Sequence, residues 1–182
     1  IGGGFTAFNG FSRRGVARLN SDGSVDETFD PGLGIDGEVY DVLVQPDKKV
    51  VIVGDFISVD GQNRKSVARL NGDGSLDEDF YPDGVTDGVV YTVTMMPNSQ
   101  ILIAGDFLMV GDHYSPSIAI LDALTGKIDP AFAPGDGVDG EVFDVDVYPD
   151  GKIVLGGNFS NVNGINPPEF NNADRPELLP DS

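Results

Sequence analysis

The chain has 182 residues, 40% of them apolar, no cysteine, and a formal net charge of −19 from 30 Asp+Glu against 11 Lys+Arg. That composition suits a soluble folded protein large enough to bury a core, leaves no material for disulfides or thiol chemistry, and opposes contact with nucleic-acid phosphates or anionic lipid. No apolar run approaches the roughly 20 residues of a membrane span; the longest are segments such as Val50–Val53 and Ile101–Ala104, so neither nucleic-acid binding nor membrane insertion is expected.

The chain opens with Ile1-Gly2-Gly3-Gly4, inside a repeat and without a leader, which suggests a fragment or a processed product. The three glycines read as a blade turn ahead of Phe5, with no helix behind them to make a phosphate cradle. Phe5, Phe56 and Phe107 recur every 51 residues, Phe159 follows after one inserted residue, and residues 5–55 match 56–106 at 24 of 51 positions without a gap. Self-similarity at that level marks a structural unit. The units run 5–55, 56–106 and 107–158, with a partial fourth at 159–164.

Taken in chain order, Val16–Leu19 predicts a strand, the turn Asn20-Ser21-Asp22-Gly23 follows it, and a short further segment ends at Phe29. Val39–Val44 reads as a period-2 segment, so it predicts a strand with Tyr40, Val42 and Val44 on one face. The turn Gln45-Pro46-Asp47-Lys48 closes it into a hairpin with Val50–Val53, which is apolar on both faces as an interior strand requires. Gly54-Asp55-Phe56 ends that strand with a residue that permits close backbone approach and one that packs. The series recurs as Val67–Leu70, Asn71–Gly74, Phe80, Val90–Met95 and Ile101–Ala104, then as Ile118–Leu121, Phe132, Val142–Val147 and Ile153–Leu155. Tyr91 and Phe143 occupy the Tyr40 column.

No helical period occurs anywhere, so the fold class is all-β, with four short antiparallel strands per 51-residue unit, as in a β-propeller blade. The string Ala17-Arg-Leu-Asn-x-Asp-Gly-Ser-x-Asp-x-x-Phe29, with Asp-Gly-x-Val-Tyr, Pro-Asp-Gly-Lys and Gly-Asp-Phe elsewhere, resembles the delta-60 repeat β-propellers of bacterial surface and secreted proteins. The resemblance spans residues 2–164 and implies a propeller with no shared catalytic activity.

Two departures stand out. Ile120 replaces Arg18 and Arg69, and Leu121-Asp-Ala-Leu-Thr-Gly-Lys127, which is similar to the turn of quinoprotein-type propellers, replaces the Asn-x-Asp-Gly-Ser turn. Beyond Gly164 the repeat stops; Asn166-Pro-Pro-Glu169 cannot continue a hydrogen-bond ladder, so 165–182 is expected to be a polar linker or docking tail. About three and a half units are present, whereas closed propellers have roughly 4–8 blades. The sheets are therefore expected to be completed by further sequence of the same protein or by a second copy, unless the units form an open array.

Few residues invite chemistry. Asn20, Asp22 and Asp26, and their copies Asn71, Asp73 and Asp77, place oxygens around a glycine turn and suggest Ca²⁺. With Gly23 at the sixth position of a calcium loop, however, Arg18 falls at the first and Phe29 at the twelfth, and Arg69 and Phe80 repeat the misfit. An Asp-Gly β-turn accounts for the pattern. Arg18 and Arg69 are expected to bridge Asp26 and Asp77 within a blade, the alternative being ligand contact. Asp41, Thr92 and Asp144, with Asp146 beside the last, share a column that could ring a channel, either as a solvated wall or as a cation or glycosidase site. His113, the single histidine, reads as a residue of a polar loop.

The expectation is thus a non-catalytic structural or interaction module of a larger extracellular or cell-surface protein, with no catalytic, cofactor or metal residues assigned and Ca²⁺ as the one conceivable ligand. It would meet a protein or glycan through the loops at one rim. A virion or tail-fibre component, and a carbohydrate-active propeller using channel carboxylates, are the alternatives.

Overall fold

A computed structural model describes residues 1–81 and 86–165. Among these there is no helix. The strands are β1 (Ala7–Phe8), β2 (Phe11–Ser12), β3 (Ile35–Val44), β4 (Val50–Val59), β5 (Gln62–Asn63), β6 (Val67–Leu70), β7 (Val89–Met95), β8 (Ile101–Asp106), β9 (Met109–Val110), β10 (His113–Tyr114), β11 (Ile118–Leu121), β12 (Glu141–Val147) and β13 (Ile153–Asn158).

Two blades are built to the same plan. In one, β4 pairs antiparallel with β3 on one side and β6 on the other; in the next, β8 lies between β7 and β11. The chain ends of the array are partial: β12 and β13 form a two-stranded sheet, and Gly2 bridges Val16 where the complete blade pairs Val53 with Val67. The Phe column therefore cuts the chain out of phase with the sheets, each unit taking the end of one blade and the start of the next. Gly2-Gly3-Gly4 is accordingly the remnant of a second strand, not a turn, and a side chain on Gly2 would meet Val39 Cγ1 at 2.5 Å.

The hairpin turns are set by backbone conformation. Lys48, Ser99 and Gly151 occupy equivalent positions at φ 70°, 67° and 85°, and each N–H closes the turn by donating to the carbonyl three residues back. The fourth member of each blade differs from expectation: it is a single bridge, Leu19 to Val25, Leu70 to Leu76 and Leu121 to Ile128. The polar turn between the bridged residues, and Pro31 after Phe29, leave too few residues to extend a ladder. Val16–Leu19, lacking a complete neighbour, is likewise held by isolated bridges.

The register also shifts in every first strand, between Val39 and Asp41, Val90 and Thr92, and Val142 and Asp144. This β-bulge overturns the predicted face. With one extra residue at Tyr40, Tyr91 or Phe143, Val39 is buried while Tyr40 is about half exposed, so the aromatic leaves the valine face. Opposite each bulge stands a glycine, and a Cβ on Gly54, Gly105 or Gly157 would lie 2.0–2.1 Å from the facing carbonyl oxygen. The bulge and the glycine require each other.

The core sits between blades. Val51, Val53, Val67 and Phe80 pack against Val90, Val93 and Phe107 of the next blade, while Val50 and Ile52 on the other face of β4 meet Val16, Phe29 and Val39. That is why Val50–Val53 is apolar on both sides. Phe80 is fully buried, a burial that contributes about 2–3 kcal/mol relative to exposure. Val162 bridges Ile165; the rest of the tail expected at 165–182 lies outside the described residues.

Candidate functional site

The Arg–Asp pairs form as the spacing implied, and they do more than hold one blade. Arg18 Nε donates to Asp26 Oδ2 at 2.8 Å and Arg69 Nε to Asp77 Oδ2 at 2.7 Å. One outer nitrogen of Arg18 and both of Arg69 cross to the following blade. Arg18 Nη1 donates to Gly72 O at 2.6 Å; Arg69 Nη1 donates to Ala123 O and Nη2 to Leu124 O at 2.7 Å. Each guanidinium also covers its own Phe, Arg18 over Phe29 at 4.9 Å and Arg69 over Phe80 at 4.5 Å. The strand supplies the Arg, the next turn the Asp, and the neighbour's turn the carbonyls.

The inner pair is the more enclosed. Arg69 and Asp77 side chains are 3% and 5% exposed, against 37% and 22% for Arg18 and Asp26. Burial of Asp77 pushes its carboxyl up, but hydrogen bonds and charge from Lys49, 2.7 Å away, and Arg69 outweigh that and hold it below the ordinary carboxylate value. Ile120, in the same column, is buried among apolar residues, and Asp129 at the Asp77 position accepts instead from Gln100 Nε2.

The suspected calcium turns are occupied internally. Asp22 Oδ1 accepts from the N–H (2.9 Å) and Oγ (2.6 Å) of Ser24, and Asp73 does the same with Ser75; these bonds hold both carboxyls low. Asn20 and Asn71 amides donate to the same serines, and Gly23 and Gly74 take φ 86° and 93°. Among the described residues no three His, Asp or Glu side chains converge. The substituted turn uses Asp122, whose Oδ1 accepts from Leu124 N, Thr125 N and Thr125 Oγ1.

The column of Asp41, Thr92 and Asp144 is a linkage more than a ring. Asp41 Oδ2 accepts from Val93 N (2.9 Å) and Thr92 Oγ1 (3.2 Å) of the next first strand. Asp144 and Asp146 turn back to the N–H of Val145 and Val147. His113, expected in a polar loop, lies in β10, paired with Val110 in a two-stranded hairpin, and is exposed.

Sequence reasoning missed one arrangement. Because of the bulges, Tyr40, Tyr91 and Phe143 form a row across three adjacent first strands, with ring centroids 5.8 and 5.5 Å apart. Acids flank it. Burial against its neighbours, then the charges of Glu38 and Asp55, raise the Tyr40 hydroxyl; burial, then Glu141 and Asp106, raise that of Tyr91. Glu38 and Asp55 are direct cross-strand partners. The repeated aromatic in the sequence was the available signal, but its face could not be read without the bulge.

Three stretches, residues 1–29, 45–80 and 149–167, match the family model described as a β-propeller domain of unknown function (DUF5122). No curated protein matches. Among solved structures the WD40 β-propeller domain of Doa1 is similar, at 14% identity and TM-score 0.39, over 65% of this chain and 47% of that one. The chain thus spans about half the length of that structure. Its antiparallel sheets, its inter-blade cores and the family match agree: the chain is a run of β-propeller blades.

Proposed function

We propose that these blades are a non-catalytic structural and interaction module of a larger extracellular or cell-surface protein, of the delta-60 repeat type, which meets a protein or glycan through its loops. One observation carries this reading. The polar side chains that recur with the repeat, Arg18 and Arg69, Asp26 and Asp77, Asp22 and Asp73, and Asp41, are all engaged in turns or blade-to-blade bonds. None of these side chains is held back for chemistry, whereas a catalytic pair is a single event on a repeated scaffold. The partial sheets at Gly2 and β13 are completed by further sequence of the same protein or by a second copy, since unpaired edges invite association.

The test is protease accessibility on intact cells, with glycoside hydrolysis measured on the purified protein. Degradation of the full-length protein by external protease, with no turnover of glycosides, is the expected result. Protection inside the cell, recovery with virions, or a glycosidase activity that Asp144→Asn abolishes would overturn it.

A further inference from the structure

The aromatic row and its carboxylates lie outside the inter-blade cores and the Arg bridges. β3 lies beside β7 and β7 beside β12, so the row runs over the adjoining first strands of three blades. Tyr40 and Phe143 are 46% and 50% exposed. Exposed aromatics aligned between blades form a surface that water solvates poorly.

The charges around the row are unbalanced. Glu38 and Asp55 face each other directly across β3 and β4, and like charges in that relation repel. No ion pair among the described residues uses Glu38, Asp55, Asp106 or Glu141. Tyr91 Oη and Glu141 are 3.4 Å apart, and Asn158 donates weakly to the same Glu. A groove of about 390 Å³ opens between the first partial blade and the next; Glu38 and Asp55, whose charges reach the Tyr40 hydroxyl, stand in its wall with Phe5 and Phe56, and the Arg14–Asp36 pair lies at one side. Aromatic rings next to two carboxylates that hold no ion pair match one chemistry, a guanidinium or ammonium on an apolar stem. Among the described residues no three His, Asp or Glu side chains converge, so this pair does not make a site for a hard divalent cation.

We propose that the Tyr40–Tyr91–Phe143 row, with Glu38, Asp55 and Glu141, is a docking surface for an extended Arg- or Lys-bearing segment of a partner protein. The groove at Glu38 and Asp55 takes one basic side chain, and Tyr91 with Glu141 takes the next, the cation lying over the ring and bonding the carboxylate. The inference rests on the interaction-module reading but moves the contact from the loops to the first strands.

The test is fluorescence anisotropy of a short labelled peptide of alternating Arg and Gly with the full chain at physiological salt. A Gln-for-Arg peptide and a neutral oligosaccharide serve as competitors. Tyr91→Ala and Glu38→Gln are each expected to weaken binding about fivefold or more, while Tyr91→Phe retains most of it. Glu27→Gln and Asp112→Asn, outside the row, should change it less than about twofold. Far-UV dichroism checks that each variant is folded; if Tyr91→Ala is not, Glu38→Gln and Tyr91→Phe decide alone. Equal losses from every neutralised acid would reduce the surface to diffuse attraction and overturn the proposal, as would indifference to Tyr91 or competition by the Gln peptide or the sugar. A partner found to bind through the loops while the Arg peptide fails would leave the module reading standing without this surface.

Discussion

Arg69 and Leu124 stand 55 positions apart and are joined by a 2.7 Å hydrogen bond from Nη2 to the backbone carbonyl. That separation exceeds one 51-residue repeat, so the bond crosses from one blade to the turn of the next. The same guanidinium holds Asp77 of its own blade and covers Phe80. One side chain therefore couples the closure of a blade to its attachment to a neighbour.

Arg69→Ala is expected to destabilise the fold by about 3 kcal/mol, since it strips a buried carboxylate of one of its two cations and removes the guanidinium's bonds to the Ala123 and Leu124 carbonyls. Arg18→Ala, at the more exposed copy, should cost clearly less. Denaturant midpoints at constant m-value measure both; equal losses would show that burial does not set the difference.

The pH dependence follows from Asp77. Its folded pKa lies below the ordinary 3.8, so the stability it contributes is present above that value and is lost as pH falls through the folded pKa. Asp77→Asn should therefore lower stability at neutral pH and flatten the acid limb below about pH 4. An acid limb as steep in the variant as in the wild type would assign it to the other carboxylates.

Gly23 and Gly74 are sequence twins in different surroundings. Both have positive φ, but a Cβ on Gly23 meets nothing within 4 Å, whereas on Gly74 it would lie 2.5 Å from Asp30 N, the group that donates to Asp73 O. Gly23→Ala should cost about 1 kcal/mol from conformation alone, and Gly74→Ala at least twice that. Thermal or denaturant unfolding of the two variants compares them; equal effects would mean that the turn of one blade does not press on its neighbour.

Calcium removal should leave the melting temperature within about 2 °C, because Asp22 and Asp73 already accept two hydrogen bonds each from Ser24 and Ser75. A larger fall on chelation, restored by Ca²⁺ and absent in Asp22→Asn, would reinstate the metal reading of the turn.

Much of this was legible in the residues. The repeat, the hairpins, the two-faced Val50–Val53 strand and the Arg–Asp pairing follow from spacing, because strand period and side-chain chemistry are local properties. Three things were not. The acceptors of Arg18 and Arg69 are carbonyls of Gly72, Ala123 and Leu124, which carry no side-chain signature. The bulge at Tyr40 preserves a pattern that looks like simple alternation, since only the partner strand reveals that Gly54 makes room for an extra residue. The fourth strand shrank to a bridge because pairing partners, not apolar residues, limit its length. The aromatic row was hidden by the same bulge.

A diffraction structure of the full-length protein decides whether these units are propeller blades joined through their own repeat motif. It should show a nearly constant rotation from the Phe5 unit to those of Phe56 and Phe107, with the Arg18 and Arg69 guanidinium nitrogens within about 3.2 Å of the Gly72 and Leu124 carbonyls. Units paired as separate sandwiches, or both arginines turned to solvent or to a ligand, would contradict it.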